Sequence, residues 1–550
     1  MPAETTGHGG EFLLQAPDEV FAPERFNEQQ RLIADTAERF AKEEIAPAGE
    51  QIEQRDFAKV RALLRRAGEL GLTGVEVPEA YGGAGLDFTA SAIVADHLAI
   101  QGSFSVAFGA HAGIATLPLV FFGSEEQKQR YLPRLASSEW IGAYALSEAG
   151  SGSDALAMRT NAEPQEDGSF RLHGEKMWIS NAGFADLFTV FAKAEDKVTA
   201  FLVEAQSAGV STGAEEDKMG IHGSSTRALI LRDVHVSADQ VLGGVGEGAH
   251  IAFQILNVGR FKLGAACIGG ARNCLHAAIA YARQRHAFGK PIASFALIRE
   301  HIARMATELY AAESAVYRTV GLMDSLHRLD ECAMECSIVK VHASEMLDDV
   351  ADRAVQIHGG NGFVHGNMAE QAYRDARVNR IFEGTNEINR MLLTGVALRR
   401  ARKGSLPLRE AVESVIAELL GPAQTHPAGE QARRVLLLIA GLAVRRFGEA
   451  IEERQVLLAG IADLMIAVYV LQSATARQPR ALMTEVLTAR TLDVVDVIAR
   501  RALAAISSGD ELRTQAAWLR RLLKRDPVDI EGMEQQIGEQ VLEAGHYLVV

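Results

Sequence analysis

The sequence predicts a mainly α-helical chain with a β domain in its middle, and three observations carry that expectation. Apolar residues recur at helical spacing from Asn27 to about Trp140, as in Ile33, Ala37, Phe40 and Ala41 and again in Val60, Leu63, Leu64, Ala67 and Leu70. After Ile141, short β-branched and aromatic runs replace these long periods up to about residue 245. From His250 the helical period returns, and it resumes beyond a short interruption near residue 400.

Taken in order, residues 1–26 read as a loosely ordered tail and 27–140 as an N-terminal helical domain, with a turn-rich loop from Glu76 to Leu86. In the β domain, 141–249, Met158–Glu163 and Phe170–His173 flank Asp167-Gly168, a hairpin signal. Leu187–Ala192, Thr199–Val203 and Leu229–Leu231 are further strands, and Gly243, Gly244, Gly246 and Gly248 close the domain. Residues 250–398 form a helical bundle broken near Phe288–Pro291, Asp324–Leu329 and Gly359. A linker at 399–407, basic from Arg399 to Lys403, leads to a C-terminal helical domain, 408–550, broken near Gly421–Gly429 and at Pro479.

A chain of 550 residues is too long for one ordinary core. Its net charge of −15 argues against nucleic-acid binding, which needs concentrated positive charge. The four cysteines are few for the length and fit a reducing compartment. Cys332 and Cys336 find no second pair of ligands, so no metal site is expected. The first residues lack the marks of a signal or transit peptide, which makes a cytoplasmic location the expectation. No run reaches the length of a membrane span on this reading. The most apolar, Val435–Val444, is bracketed by arginines and reads as a buried helix, with peripheral membrane contact as the alternative.

Four stretches carry chemistry. In Gln356–Arg390 a core-facing helix bearing Leu347, Val350, Ala351 and Ala354 leads into the turn Gly359-Gly360-Asn361-Gly362, and Glu383 follows with Gly384 and Thr385 behind it. The glycines follow a helix, so this is not a dinucleotide-binding fingerprint. A helix cap followed by an ordinary loop and a backbone platform for a flat ligand both fit the residues. The second stretch, Tyr144-Ala-Leu-Ser-Glu-Ala-Gly-Ser-Gly-Ser-Asp154, offers small residues and hydroxyls against which planar groups can lie. The third is Lys176-Met-Trp-Ile-Ser-Asn181, at a strand end, where Trp178 is either core or a cofactor wall. The fourth is Tyr281-Ala-Arg-Gln-Arg-His-Ala-Phe-Gly-Lys-Pro-Ile292, where the fork of Arg285 suits a pyrophosphate and Phe288 can cover an adenine. Arg260, in Asn257-Val-Gly-Arg-Phe261, is either a solvated helix arginine or a site residue.

Together these stretches resemble the acyl-CoA dehydrogenase flavoprotein family, over about residues 27–398. The appended helical domain and the wording QVLGGVGEGAHIAFQILNVGRF are similar to its very-long-chain branch. The resemblance implies the family fold: an N-terminal helical domain, a β-barrel-like middle domain and a helical bundle, with an extra C-terminal helical domain. It implies FAD, held by residues matching Tyr144, Leu146, Ser147, Gly152, Ser153, Trp178, Ser180, Arg285, Phe288, Gln356, Gly359, Gly360, Thr385 and Glu387. It further implies an acyl-CoA substrate near Ser153, Asn257, Gly384 and Arg260, the last at the mouth of the substrate site. Glu383 is implied as the base that takes the α-proton of the thioester, forming a trans-2-enoyl-CoA in fatty acid β-oxidation, with electrons passing to an electron-transfer flavoprotein.

A subset of the family carries its base on the residue before the arginine, and here that residue is Gly259. Proline is usual where Ala149 stands, which leaves that turn less rigid. Contacts of Arg285, Phe288, Gln356 and Gly360 would reach the FAD of a neighbouring subunit, implying a homodimer or a dimer of dimers. Burial should raise the pKa of Glu383 and help it act near neutral pH. An acyl-CoA oxidase using oxygen and a non-catalytic assembly protein on the same fold are the alternatives. Gly109, Ala110 and Gly113 either floor a deep acyl pocket or let helices pack closely.

Overall fold

The computed structural model describes residues 9–326, 328–422, 424–477 and 480–547, and within them it is helical with one central sheet. Two compact units emerge. One comprises Phe26–Gly270 and Gln371–Gly384, the other the chain up to Arg25, Ala271–Glu370 and the chain from Thr385 onward. This division groups the chain by shared cores, across the expected domain bounds. The later bundle helices share one core with residues beyond 408, and the short stretch before the glutamate joins the first unit.

In the first unit, helices start where a side chain can take up an orphan N–H. Asn27 with Gln30 and Ser124 with Gln127 form capping boxes, and Asp56 and Asp87 cap alone. Val60, Leu63, Leu64 and Ala67 face one core with Phe40, Phe104 and Ile141. The eight strands are β1 (Gly142–Ala145), β2 (Asn161–Pro164), β3 (Phe170–Ser180), β4 (Leu187–Ala194), β5 (Lys197–Glu204), β6 (Val210–Glu215), β7 (Thr226–Val236) and β8 (Val241–Leu242). Their order is β6-β7-β3-β2-β4-β5-β8, with β1 parallel to β4. The expected hairpin forms, pairing Pro164 with Phe170. Strand β6 has no counterpart in the sequence reading because its residues, VSTGAE, lack an apolar face and none of them is buried.

In the second unit the helices Gly248–Gln284 (from its Ala271), Ala296–Leu326 and Ala333–His358 end at the expected breaks. The basic segment expected in a linker is helical: Asn386–Arg402 runs unbroken through Arg399. The break expected at Pro479 lies outside the described residues. Val435–Leu442 is buried apart from Ala440 and Gly441, which are partly covered, within the Ala428–Phe447 helix.

The expectation that no segment is long enough to span a membrane is corrected. Gly102–Phe122, Gly248–Gln284 and Gln455–Ala476 reach the necessary length and hydropathy, and 67%, 67% and 72% of their most apolar windows are buried inside the protein. Contiguous uncharged runs understate such helices, which are apolar all round because protein surrounds them. Gln455–Ala476 packs on Ala296–Leu326, Asn386–Arg402, Ala428–Phe447 and Ala481–Ile506.

The chain start is also corrected. From Gly9 it is an ordered strap on the second unit rather than a loose tail. Phe12 and Leu13 are 2% exposed, and Phe12 meets Tyr469 edge to face at 5.1 Å. Gly10 N–H donates to Glu335 at 2.6 Å, Gln472 donates to the Phe12 carbonyl, and Arg433 to that of Leu13. Arg477 holds the Glu24 carboxylate through two nitrogens. Composition hid this because the segment's few apolar residues are irregularly spaced. Phe12→Ala should cost about 3 kcal/mol, read as an earlier denaturant transition of the helical unit; an unchanged transition would contradict the strap.

Candidate active site

Glu383 adopts φ 57° and Gly384 φ 82°, two consecutive left-handed residues at the end of the excursion that begins at Gln371. For a glutamate this backbone costs about 1–2 kcal/mol, and the surroundings hold it there. Arg260, 4% exposed, donates from Nε to the Glu383 carbonyl at 3.3 Å and from Nη1 to Asn257 Oδ1 at 2.9 Å. Arg260 therefore fixes the backbone at Glu383. One residue earlier, a Cβ on Gly259 would lie 2.3 Å from Glu383 Oε2. The glycine clears the space that the carboxylate fills.

The excursion is anchored further back by Asp375, 8% exposed, which accepts from Ile221 N–H, while Arg374 donates to the Met219 carbonyl at 3.1 Å. Burial, reinforced by the Glu53 carboxylate, pushes the Asp375 carboxyl up to about 7. Glu53 is itself faced by Ser103, Gln101 and His222.

The Tyr144–Asp154 loop and the end of β3 are knitted together beside this excursion, within the same unit. Met177 N–H donates to the Ser147 carbonyl at 2.9 Å, and Lys176 Nζ to the Leu146 carbonyl at 3.1 Å and Glu148 at 2.8 Å. Glu148 also accepts from Arg159 N–H, Thr160 N–H and the Thr160 hydroxyl. Burial opposes its charge, but these donors win and hold the carboxyl at about 2. Sequence reading missed this buried pair because nothing in the spacing of Glu148 and Lys176 brings them together.

Tyr144 and Leu146 are buried, while Ser147 and Ser180 are partly covered. Gly152 and Ser153 are exposed, and a Cβ on Gly152 would meet nothing within 4 Å. Trp178 has φ 58° at a bulge between Lys176 and Ile179 and is 54% exposed, so its ring stands out of the sheet. The Tyr144 hydroxyl is buried with no hydrogen-bond partner among the described residues. Burial and the charge of Glu383 push its pKa far above the ordinary phenol value. An orphan hydroxyl, an outstanding indole and open glycine faces fit a planar, polar-edged group such as an isoalloxazine.

The second unit carries the other expected residues. Arg285 begins a small hairpin, His286–Ala287 with Lys290–Pro291, and Phe288 at its tip has φ 52° and is 93% exposed. Tyr281 stacks on His358 at 4.4 Å and accepts from Asn361 at 2.9 Å, so the hairpin's parent helix is tied to the Gly359 turn. Gln356, Gly359 and Gly360 are exposed there, and a Cβ on Gly289, Gly359 or Gly360 would meet no atom within 4 Å. This surface of exposed backbone, arginine and phenylalanine has the chemistry to hold a pyrophosphate and an adenine. Thr385 caps the Asn386–Arg402 helix through Ile388 N–H, and Glu387 is exposed in its first turn.

The models of the N-terminal, middle and C-terminal domains of acyl-CoA dehydrogenases match residues 27–139, 143–234 and 246–398, and a second C-terminal domain model matches 431–521. A probable acyl-CoA dehydrogenase of Bacillus subtilis (strain 168) is 43% identical over 98% of both chains. The very long-chain specific acyl-CoA dehydrogenase of human mitochondria is 36% identical over 78% of this chain and 67% of its own. Among solved structures, an acyl-CoA dehydrogenase complexed with FAD from Bacillus anthracis superposes with a TM-score of 0.96, at 42% identity over 99% of this chain and 100% of that one.

Two outcomes test this geometry. Gly259→Ala should displace the Glu383 carboxylate and lower turnover about 100-fold with flavin content unchanged, as measured by steady-state kinetics beside the flavin absorbance. Because the folded-state pKa of Asp375 is raised from 3.8 to about 7, its contribution is full below 3.8 and is lost as pH rises through 7. Thermal unfolding across that window should show stability falling with pH in the native protein, and Asp375→Asn should remove that part of the slope.

Proposed function

The chain belongs to the acyl-CoA dehydrogenase family of FAD-dependent oxidoreductases, and we propose that this member oxidises long-chain acyl-CoA thioesters to trans-2-enoyl-CoA in fatty acid β-oxidation. The observation that carries this reading is Glu383: a left-handed carboxylate residue held through its carbonyl by buried Arg260 and given room by Gly259. Removing a proton α to a thioester demands a fixed base and a site that supports the developing enolate. Glu383 takes that proton, and its own backbone N–H, on the same held segment, donates to the thioester oxygen. Bound FAD supplies the acceptor for the hydrogen leaving the β-carbon. Leu146, Ser147, Trp178 and Ser180 frame that cofactor, and Ser153, on an exposed loop, meets the acyl-CoA.

Support for a long acyl chain comes from Gly109, over which a Cβ would meet nothing within 4 Å, in the irregular helical turn Gly109–Ala115. A Cβ built on Gly113 would lie 3.3 Å from the Lys262 stem, which already fills that space. Exposed Arg285, Phe288, Gln356 and Gly360 support a contact with the FAD of a neighbouring subunit, so the working unit is a homodimer. Electrons leave through an electron-transfer flavoprotein in the cytoplasm, and the C-terminal helices are the surface available for peripheral membrane contact.

Glu383→Gln should slow anaerobic bleaching of the flavin by acyl-CoA about a thousandfold while leaving the yellow cofactor bound. Undiminished bleaching would remove Glu383 as the base. Across short, medium and long acyl-CoAs, kcat/KM should rise with length, and omission of an electron acceptor should stop turnover; steady peroxide release in air would identify an oxidase.

A further inference from the structure

Within the second unit, the Asn386–Arg402 helix, the Gly448–Glu453 turn and the start of the Gln455–Ala476 helix line a cavity of about 550 Å³ that opens to solvent. Small-molecule sites span roughly 300–1,000 Å³, so its size is that of a ligand site. Met391, Leu398 and Leu458 line it with apolar surface, and Arg399, Arg402 and Lys403 add three cations. Gly395 keeps the space between them open, since a Cβ there would meet no atom within 4 Å.

Arg402 is engaged by Glu452 at 2.8 Å, whereas among the described residues no carboxylate pairs with the side chains of Arg399 or Lys403. The dipole of a helix end accounts for cations in its last turn. It does not account for an apolar lining beneath them, nor for an uncovered glycine at the centre.

We propose that this cavity binds an amphiphilic anion. A carboxylate or phosphate head sits between the Arg399 guanidinium, whose fork can grip two oxygens, and the Lys403 ammonium. The first carbons of its aliphatic chain lie across Gly395 against Met391, Leu398 and Leu458, where burial favours them. A free fatty acid and an anionic membrane lipid share this chemistry. The site is built from residues outside the Glu383 machinery, so it stands independently of the proposed reaction.

The test uses the FAD-loaded full chain and dodecanoate carrying a terminal diazirine. Photolabelled peptides are mapped by mass spectrometry, with turnover measured in parallel. Label is expected on Met391–Lys403 and on the start of the Gln455–Ala476 helix. Gly395→Leu, which fills the cavity while improving helix propensity, should reduce that label about tenfold and leave turnover unchanged. Arg399→Glu combined with Lys403→Glu should do the same. Competition by phosphatidylglycerol vesicles but not phosphatidylcholine vesicles identifies a lipid as the source, and competition by soluble dodecanoate alone identifies a free acid; either supports the site. Absence of label from these peptides, or label that both variants leave unchanged, overturns it.

Discussion

A single backbone carbonyl, that of Glu383, is the point on which the first unit turns. A glutamate with φ 57° followed by a glycine with φ 82° occupies the sparsely populated left-handed region, above the energy of an ordinary residue. The arrangement persists because Arg260 is buried and finds its acceptors in Asn257 and in that carbonyl. A buried guanidinium left without acceptors would be far more costly than the strained residue it serves. The two features hold each other in place, and Gly259 is the consequence: any larger side chain would occupy the volume of the carboxylate.

The same economy shapes the surface prepared for the cofactor. The loop from Leu146 to Ser151 has little apolar content of its own, and the buried Glu148–Lys176 pair, with its backbone donors, gives it a fixed course. One carboxylate thereby collects the orphan donors of two chain segments, in the way that helix caps collect them at a helix start. Among the described residues, four left-handed non-glycine residues, Trp178, Asn181, Phe288 and Glu383, fall in stretches singled out from sequence.

Much of this was legible in the sequence. Helical spacing at Val60, Leu63, Leu64 and Ala67 found a real core face, and Asp167-Gly168 found its hairpin. The motif stretches around Tyr144, Trp178, Arg285 and Glu383 identified the family that the domain matches show. What escaped was what periodicity cannot encode. Strand β6 is held by pairing with β7 and not by an apolar face, and the chain start is ordered by partners more than three hundred residues away, Glu335 at a separation of 325 and Gln472 at 460. The Gln455–Ala476 helix carries one charge, Asp463, and that charge pairs with Arg390 of a neighbouring helix. Composition alone therefore made it no different from a lipid-facing segment.

The strap at the chain start carries a consequence for synthesis. Phe12 is synthesised 460 residues ahead of Gln472, which together with Tyr469 receives it. Until then the nascent chain must carry a solvated Phe12. The first unit is likewise incomplete until Gly384 has been made. Both compact bodies are thus closed by long-range contacts late in translation, a high-contact-order arrangement that leaves apolar surface in need of chaperone cover.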